Sequence, residues 1–243
     1  QVQKYFLFRS CFPMLDVKSL YYSHASHSVF EDASAGFASG QISMVLGASG
    51  SGKTTLFRII VGLLSCSLGE ILWKGQPIQQ EQIAYMQQKE ALLPWRTVRK
   101  NILLLTELGS RKQKTTIEEE CFYNVVHSFG LSSLLDRFPD ELSGGQRQRV
   151  VFAMQSLSPK PILLLDEPFT SLDPITKEIL YQDVKRLAKE EGKTIILASH
   201  DVQDCLGVGE AFFAIKNQKL HSIALNKEQG IAGLLQQMKD HLV

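Results

Sequence analysis

No run of about 18 apolar residues occurs in this chain, so the sequence offers no candidate membrane-spanning helix. Its apolar runs are short, and Ile162 to Leu165, Ala211 to Ile215 and Ile102 to Leu105 suit buried strands or helix faces. An excess of one charge is lacking too. Twenty-six Lys and Arg against 25 Asp and Glu leave a net charge of +1, no global field for nucleic acid or an acidic membrane, though a local patch stays open. The four cysteines, Cys11, Cys66, Cys121 and Cys205, form no C-x-x-C pair and keep no zinc-like spacing with histidine. They read as free thiols in a reducing compartment, with one bridge between two distant cysteines as the alternative. Internal repeats and low-complexity tracts are absent. The opening Tyr5-Phe6-Leu7-Phe8 is cut by Arg9 and is too short for a signal-peptide core.

What is present is ordinary globular material: 243 residues, 44% apolar and 21% charged, enough for one large domain or two small ones with a real core. Met14 directly precedes a strand-like Leu15-Asp16-Val17, so residues 1–13 read as an N-terminal extension, or as an ordinary N-terminal arm. Beyond them, short β-like runs alternate with helical stretches, which predicts an α/β fold. Strands are expected at Leu15–Tyr22, Gln41–Leu46, Glu70–Lys74, Ile83–Gln87, Pro161–Asp166 and Thr194–Ala198. Helices are expected at Thr54–Gly62 and at Thr176–Gly192, with Gly192 closing the second. Helix-like spacing also runs from about 97 to 136, broken by a polar loop at Ser110–Thr116. Lys227–Leu242 carries apolar residues at 231, 234, 235 and 238, one helix face that reads as packing or as a regulatory partner surface.

Gly47-Ala48-Ser49-Gly50-Ser51-Gly52-Lys53-Thr54 fits G-x-x-x-x-G-K-[ST], after a β-run and before a helix. Glycines let the backbone wrap a phosphate with its N–H groups, and the helix N-terminus adds partial positive charge. Lys53 is expected to reach the β- and γ-phosphates, and Thr54 to offer its hydroxyl to Mg²⁺. The alternative is a glycine turn that happens to hold a lysine, which the eight-position match between a β-run and a helix disfavours. Pro161-Ile162-Leu163-Leu164-Leu165-Asp166-Glu167 reads as a buried strand ending in two carboxylates. Asp166 can hold the magnesium through water, and Glu167 can polarise the attacking water as a general base. Leu142-Ser143-Gly144-Gly145-Gln146 opens a further helix, a second anion-seeking end with no lysine of its own. Two such ends and one lysine-bearing loop make sense if each meets a nucleotide held by another copy.

In these motifs and their order the sequence resembles the ATP-binding subunits of ABC transporters, from about Leu15 to Phe213. The resemblance implies a P-loop NTPase (RecA-like) core with an antiparallel β subdomain and a helical signature subdomain. Residues 14–243 would form one ATP-binding domain, with the helical part at about 89–142 and an amphipathic C-terminal helix at about 227–242. It implies ATP and Mg²⁺ held by Gly47 to Thr54 and by Thr55. Ser143, Gly144, Gly145 and Gln146 form the family's signature, and Ser171-Leu172-Asp173 resembles the D-loop, with Asp173 at the nucleotide. Gln88 lies at the position of the Q-loop glutamine, a catalytic and metal contact that couples nucleotide to movement, with Gln87 as the neighbouring candidate. Ser199-His200-Asp201 resembles the H-loop, with His200 as the γ-phosphate switch.

One site departs from the family pattern: counting back from the phosphate loop puts His24, not an aromatic such as Tyr, at the adenine, with Tyr22 two residues away. The helix after the signature also lacks an arginine that many relatives carry, which should alter packing more than chemistry. The implied partners are a second copy in a head-to-tail ATP sandwich, transmembrane permease subunits and a solute-binding protein, at the cytoplasmic face of a membrane; nucleic acid is not expected. Ala91-Leu92-Leu93-Pro94-Trp95-Arg96-Thr97-Val98 resembles a Leu-Leu-Pro-Trp variant of the nitrate, sulfonate, taurine and thiamine-precursor importers, unless Trp95 simply packs on the helical region. An exporter or lipoprotein-release ATPase, or a soluble ABC ATPase acting on nucleic acid or ribosomes, remains as an alternative function.

Overall fold

Apolar residues that alternate in destination along single strands organise the molecule. In the computed structural model, which describes residues 14–87, 92–104, 117–170 and 172–242, three strands run side by side through the centre: β3 (Ile42–Leu46), β7 (Ile162–Asp166) and β8 (Thr194–Ala198). Every residue of the three is buried. Met44, Leu163, Leu165, Ile195 and Leu197 enter one core; Val45, Ile162, Leu164, Ile196 and Ala198 enter the other. Strands covered on both faces are continuously hydrophobic, which is why these runs are apolar without a polar alternate.

The six-stranded sheet has the order β10-β9-β3-β8-β7-β6, completed by β6 (Ile83–Met86), β9 (Ala211–Lys216) and β10 (Lys219–Ile223). All its pairs are parallel except the β9–β10 hairpin. On one face pack helices from the second half of the chain: α3 (Glu119–Ser128), α4 (Gly144–Ser156), α5 (Pro174–Lys189), α6 (Val202–Gly207) and α7 (Gly230–Leu242), joined by α2 (Val98–Ile102). On the other lie α1 (Lys53–Ile60) and an antiparallel sheet of order β2-β1-β4-β5, formed by β1 (Met14–His24), β2 (His27–Ala38), β4 (Leu68–Trp73) and β5 (Gln76–Pro77). The rings of Phe37 and Phe213, 4.9 Å apart, join the two sheets.

The structure corrects several boundaries. α5 begins two residues before the expected Thr176 because Asp173 caps it and Pro174 suits its first turn. It ends at Lys189 rather than Gly192, which takes a left-handed φ of 65° in the following turn. The stripe on α7 is split: Leu234 and Met238 are buried, while Ile231 and Leu235 face outward. Trp95 does not pack on the helical region and is 72% exposed. Strands β2 and β10 are not expected from the sequence. Cys66, Cys121 and Cys205 are free thiols; Cys11, with the rest of 1–13, lies outside the described residues, as does the expected polar loop at Ser110–Thr116. No helix among the described residues is long and apolar enough to cross a membrane.

Candidate functional site

Four adjacent parallel strands, β3, β8, β7 and β6, present their carboxyl ends along one edge of the sheet, where open α/β sheets place their ligands. β3 leads into Gly47–Thr54, β7 ends at Asp166, β8 leads into Ser199 and His200, and β6 leads into Gln87.

The Gly47–Thr54 loop is built for close backbone approach. A Cβ on Gly47 would lie 2.2 Å from the Ser51 hydroxyl oxygen. Gly52 caps α1 with φ 104°, a conformation that favours glycine, and a Cβ there would meet Val29 Cγ1 at 2.9 Å and the Phe30 ring at 3.1 Å. Ser51 N–H donates to Ala48 O at 3.1 Å, tightening the turn. Lys53, the first residue of α1, is buried and donates through Nζ to Gly47 O at 2.8 Å and Ala48 O at 3.1 Å. Burial lowers its pKa, opposed by the negative charges of Glu167 and Asp166. Thr54 and Thr55 follow in the first turn.

Asp166 is 1% exposed and its carboxyl accepts from the Thr54 hydroxyl and, at 3.3 Å, from the Tyr85 hydroxyl. Burial raises its pKa; the two donors and Lys53 pull the other way, and Glu167 adds to the rise. The Tyr85 hydroxyl is in turn pushed up, by burial first and by Asp166 second. Paired hard oxygens from a threonine and a carboxylate are the donor set a magnesium ion takes, so Thr54 and Asp166 fit the expected metal. Glu167 follows with φ 50°, its N–H bonded to Ala198 O at 2.9 Å, and its Oε1 stands 3.2 Å from Nδ1 of the exposed His200. The arrangement can hold a polyphosphate on backbone N–H groups and one lysine, and it sets a carboxylate and an imidazole side by side at the same strand ends.

The signature residues are elsewhere. Ser143 caps α4 and shares a reciprocal capping box with Gln146, in which Ser143 N–H donates to Gln146 Oε1 at 2.9 Å. Gly144 and Gly145 form the first turn, and a Cβ on Gly145 would stand 3.7 Å from Leu172. Among the described residues, no hydrogen bond or ion pair joins these four to the phosphate loop of the same chain. Asp173 caps α5, accepting from Thr176 N–H at 3.0 Å. From α4, the buried Gln148 reaches back and donates to Pro168 O at 2.6 Å, tying that helix to the residue after Glu167.

His24 ends β1 and is exposed; Tyr22, paired with Phe30, is half-buried. Because Val29 and Phe30 lie against Gly52, both candidates stand near the hairpin end that meets the phosphate loop. Gln88 and Ser171 lie outside the described residues. Sequence reasoning missed Tyr85, whose signal was its place on an apolar strand paired directly with the Asp166 strand, and missed Val29 and Phe30 on the uncalled strand β2.

Residues 30–170 match the family described as ABC transporter. The formylaminopyrimidine import ATP-binding protein ThiZ of Halalkalibacterium halodurans is 37% identical over 86% of this chain and 82% of its own length. The Fe(3+) ions import ATP-binding protein FbpC of Haemophilus influenzae is 35% identical over 87% of this chain, which spans 62% of that relative. A solved structure of an ATP-binding subunit of an ABC transporter superposes with a TM-score of 0.80 at 24% identity, covering 93% of this chain and 98% of that one.

Proposed function

The chain belongs to the ABC transporter family, and from that premise we propose that it is the ATP-hydrolysing subunit that powers solute import through separate membrane subunits. The observation that carries this reading is the convergence of Lys53, Thr54, Asp166, Glu167 and His200 on one edge of the sheet. The loop from Gly47 to Thr54 holds the phosphates. Thr54 and Asp166 hold the magnesium ion, which when bound neutralises phosphate charge. Glu167 takes the proton of the attacking water, and His200 contacts the terminal phosphate. Gln88 senses the nucleotide and couples it to the helical region.

Two copies close head to tail, each bringing Ser143, Gly144, Gly145, Gln146 and Asp173 to the nucleotide of the other. Among the described residues, no hydrogen bond or ion pair joins Ser143, Gly144, Gly145 or Gln146 to the phosphate loop of the same chain, which supports that arrangement. Adenine lies at the hairpin end marked by His24 and Tyr22. Docking on the membrane subunits is supported by the exposed Trp95. Its turn is pinned by the fully buried Asn101, which accepts from Leu93 N–H and donates to the carbonyls of Leu93, Arg96 and Thr97. Import of small solutes by ThiZ and FbpC supports that direction, with a solute-binding protein delivering cargo.

The test is reconstitution of the chain with its membrane subunits in proteoliposomes. ATP supplied on the side bearing this chain is expected to drive solute to that side, with hydrolysis stimulated by the loaded binding protein. Outward movement, or hydrolysis that answers only to nucleic acid or ribosomes, would overturn it.

A further inference from the structure

Helix α5, capped by Asp173, sends two side chains one turn apart towards the segment that carries His200. Lys177 Nζ donates to Asp201 Oδ2 at 2.7 Å and stands 3.6 Å from Asp204 Oδ1. The Tyr181 hydroxyl donates to Asp204 Oδ1 at 2.6 Å. From the other side, the Ser199 hydroxyl donates to Asp204 Oδ2, and Ser199 Oγ accepts from Asp201 N–H at 3.0 Å. The residues before and after His200 are therefore tied, by their side chains, to one buried carboxylate and one lysine. His200 itself is exposed and touches Glu167.

A network of this kind is expensive. Asp204 is 3% exposed, and taking a carboxylate out of water carries a desolvation penalty that its partners must offset. Burial raises its pKa while Ser199, Tyr181 and Lys177 oppose the rise. Burial would lower the pKa of Lys177, yet its two aspartates outweigh that and raise it. Capping α6 does not require Asp204, because Asp201 already accepts from Gln203 N–H at 2.8 Å. The packing is also tight: a Cβ on Gly207 would lie 2.4 Å from the Tyr181 ring, so α5 and α6 approach with no side chain between ring and backbone. What the carboxylate does connect is α5 with both neighbours of His200.

We propose that Asp204, gripped by Tyr181 and Lys177 from α5, is the positioning residue that sets the direction of the His200 ring through Ser199 and Asp201. The proposal rests on the reading that gives His200 its phosphate contact. It makes α5 a strut: any displacement of Asp173, at the head of that helix, is carried by Lys177 and Tyr181 to the histidine.

The test uses the full chain with all six histidines ring-labelled for NMR, alongside steady-state ATP hydrolysis. Tyr181→Phe keeps the ring that packs on Gly207 and deletes one donor; Ser199→Ala deletes the other. Each is expected to lower kcat by about 3- to 10-fold, the scale of one hydrogen bond, with KM for ATP retained. Each is also expected to shift or broaden the His200 ring signal while the other five histidines stay in place. An unmoved His200 signal, an unchanged kcat, or a shift of all six signals together would overturn the proposal, the last by showing a general structural role. His200→Ala tests the underlying reading separately. Wild-type turnover there would remove the phosphate contact from His200, whereas the ring signal reports the positioning regardless of that contact.

Discussion

Glu167 and His200 meet across the ends of neighbouring strands, Oε1 3.2 Å from Nδ1. Glu167 reaches this position with a left-handed φ of 50°, which costs a non-glycine residue on the order of 1–3 kcal/mol. Its N–H bond to Ala198 O holds it there. Strain at the tip of a buried strand, beside a histidine and a phosphate loop, is what a site that aims a carboxylate requires.

Replacing Glu167 by Gln keeps the size of the side chain and removes its basicity. Hydrolysis is expected to fall by about 10²–10⁴ while ATP binding persists. Phosphate release from purified protein measures the first and nucleotide titration the second; turnover equal to wild type would refute the base assignment.

Lys53→Ala should act on binding instead. Lys53 Nζ sits on the carbonyls of Gly47 and Ala48, within the loop proposed to hold the phosphates. A charge-assisted hydrogen bond is worth about 1.5–3 kcal/mol, so ATP affinity is expected to fall by about 10- to 100-fold. Calorimetric titration of the variant checks this, and retained affinity would place the phosphates elsewhere.

Much of this was legible because burial and chemistry coincide. β7 reads from Ile162 to Asp166 since both its faces are covered, and its acids mark the end where the sheet opens. Gly47–Thr54 reads from its spacing alone. β2 does not read, because bulges shift its register with β1 after Val17, Leu20 and Tyr22, and Asp32 takes a φ of 54°. No clean period of two survives such shifts. The Asp204 network was equally hidden: Lys177, Tyr181 and Asp204 come together only when α5 and α6 pack.

Ser143→Arg separates the two anion-seeking ends. The change loses a helix cap worth about 1 kcal/mol, so folding is checked by circular dichroism. In the Glu167→Gln background, which holds ATP unhydrolysed, size-exclusion chromatography with ATP is expected to show a dimer that Ser143→Arg abolishes. ATP binding to the monomer should persist, since Ser143 makes its hydrogen bonds with Gln146 and none with the phosphate loop among the described residues; an unchanged dimer would refute the sandwich.

Asp166→Asn is expected to stabilise the nucleotide-free protein while removing hydrolysis. Burial holds the Asp166 carboxyl above its ordinary pKa even with Thr54 and Tyr85 donating to it. From about pH 4, the ordinary carboxylate value, up to that raised value, the folded state binds more protons than the unfolded state, so stability falls as pH rises. Above the window the whole penalty is present; below it none is. An uncharged asparagine removes the penalty, so Tm is expected to rise near pH 7. The advantage should shrink as pH falls through the window and disappear below about pH 4. Thermal melts of both proteins across that range measure it. A variant no more stable than wild type at neutral pH would mean that the donors already offset the buried charge. The site would then carry no stability cost for its buried carboxylate.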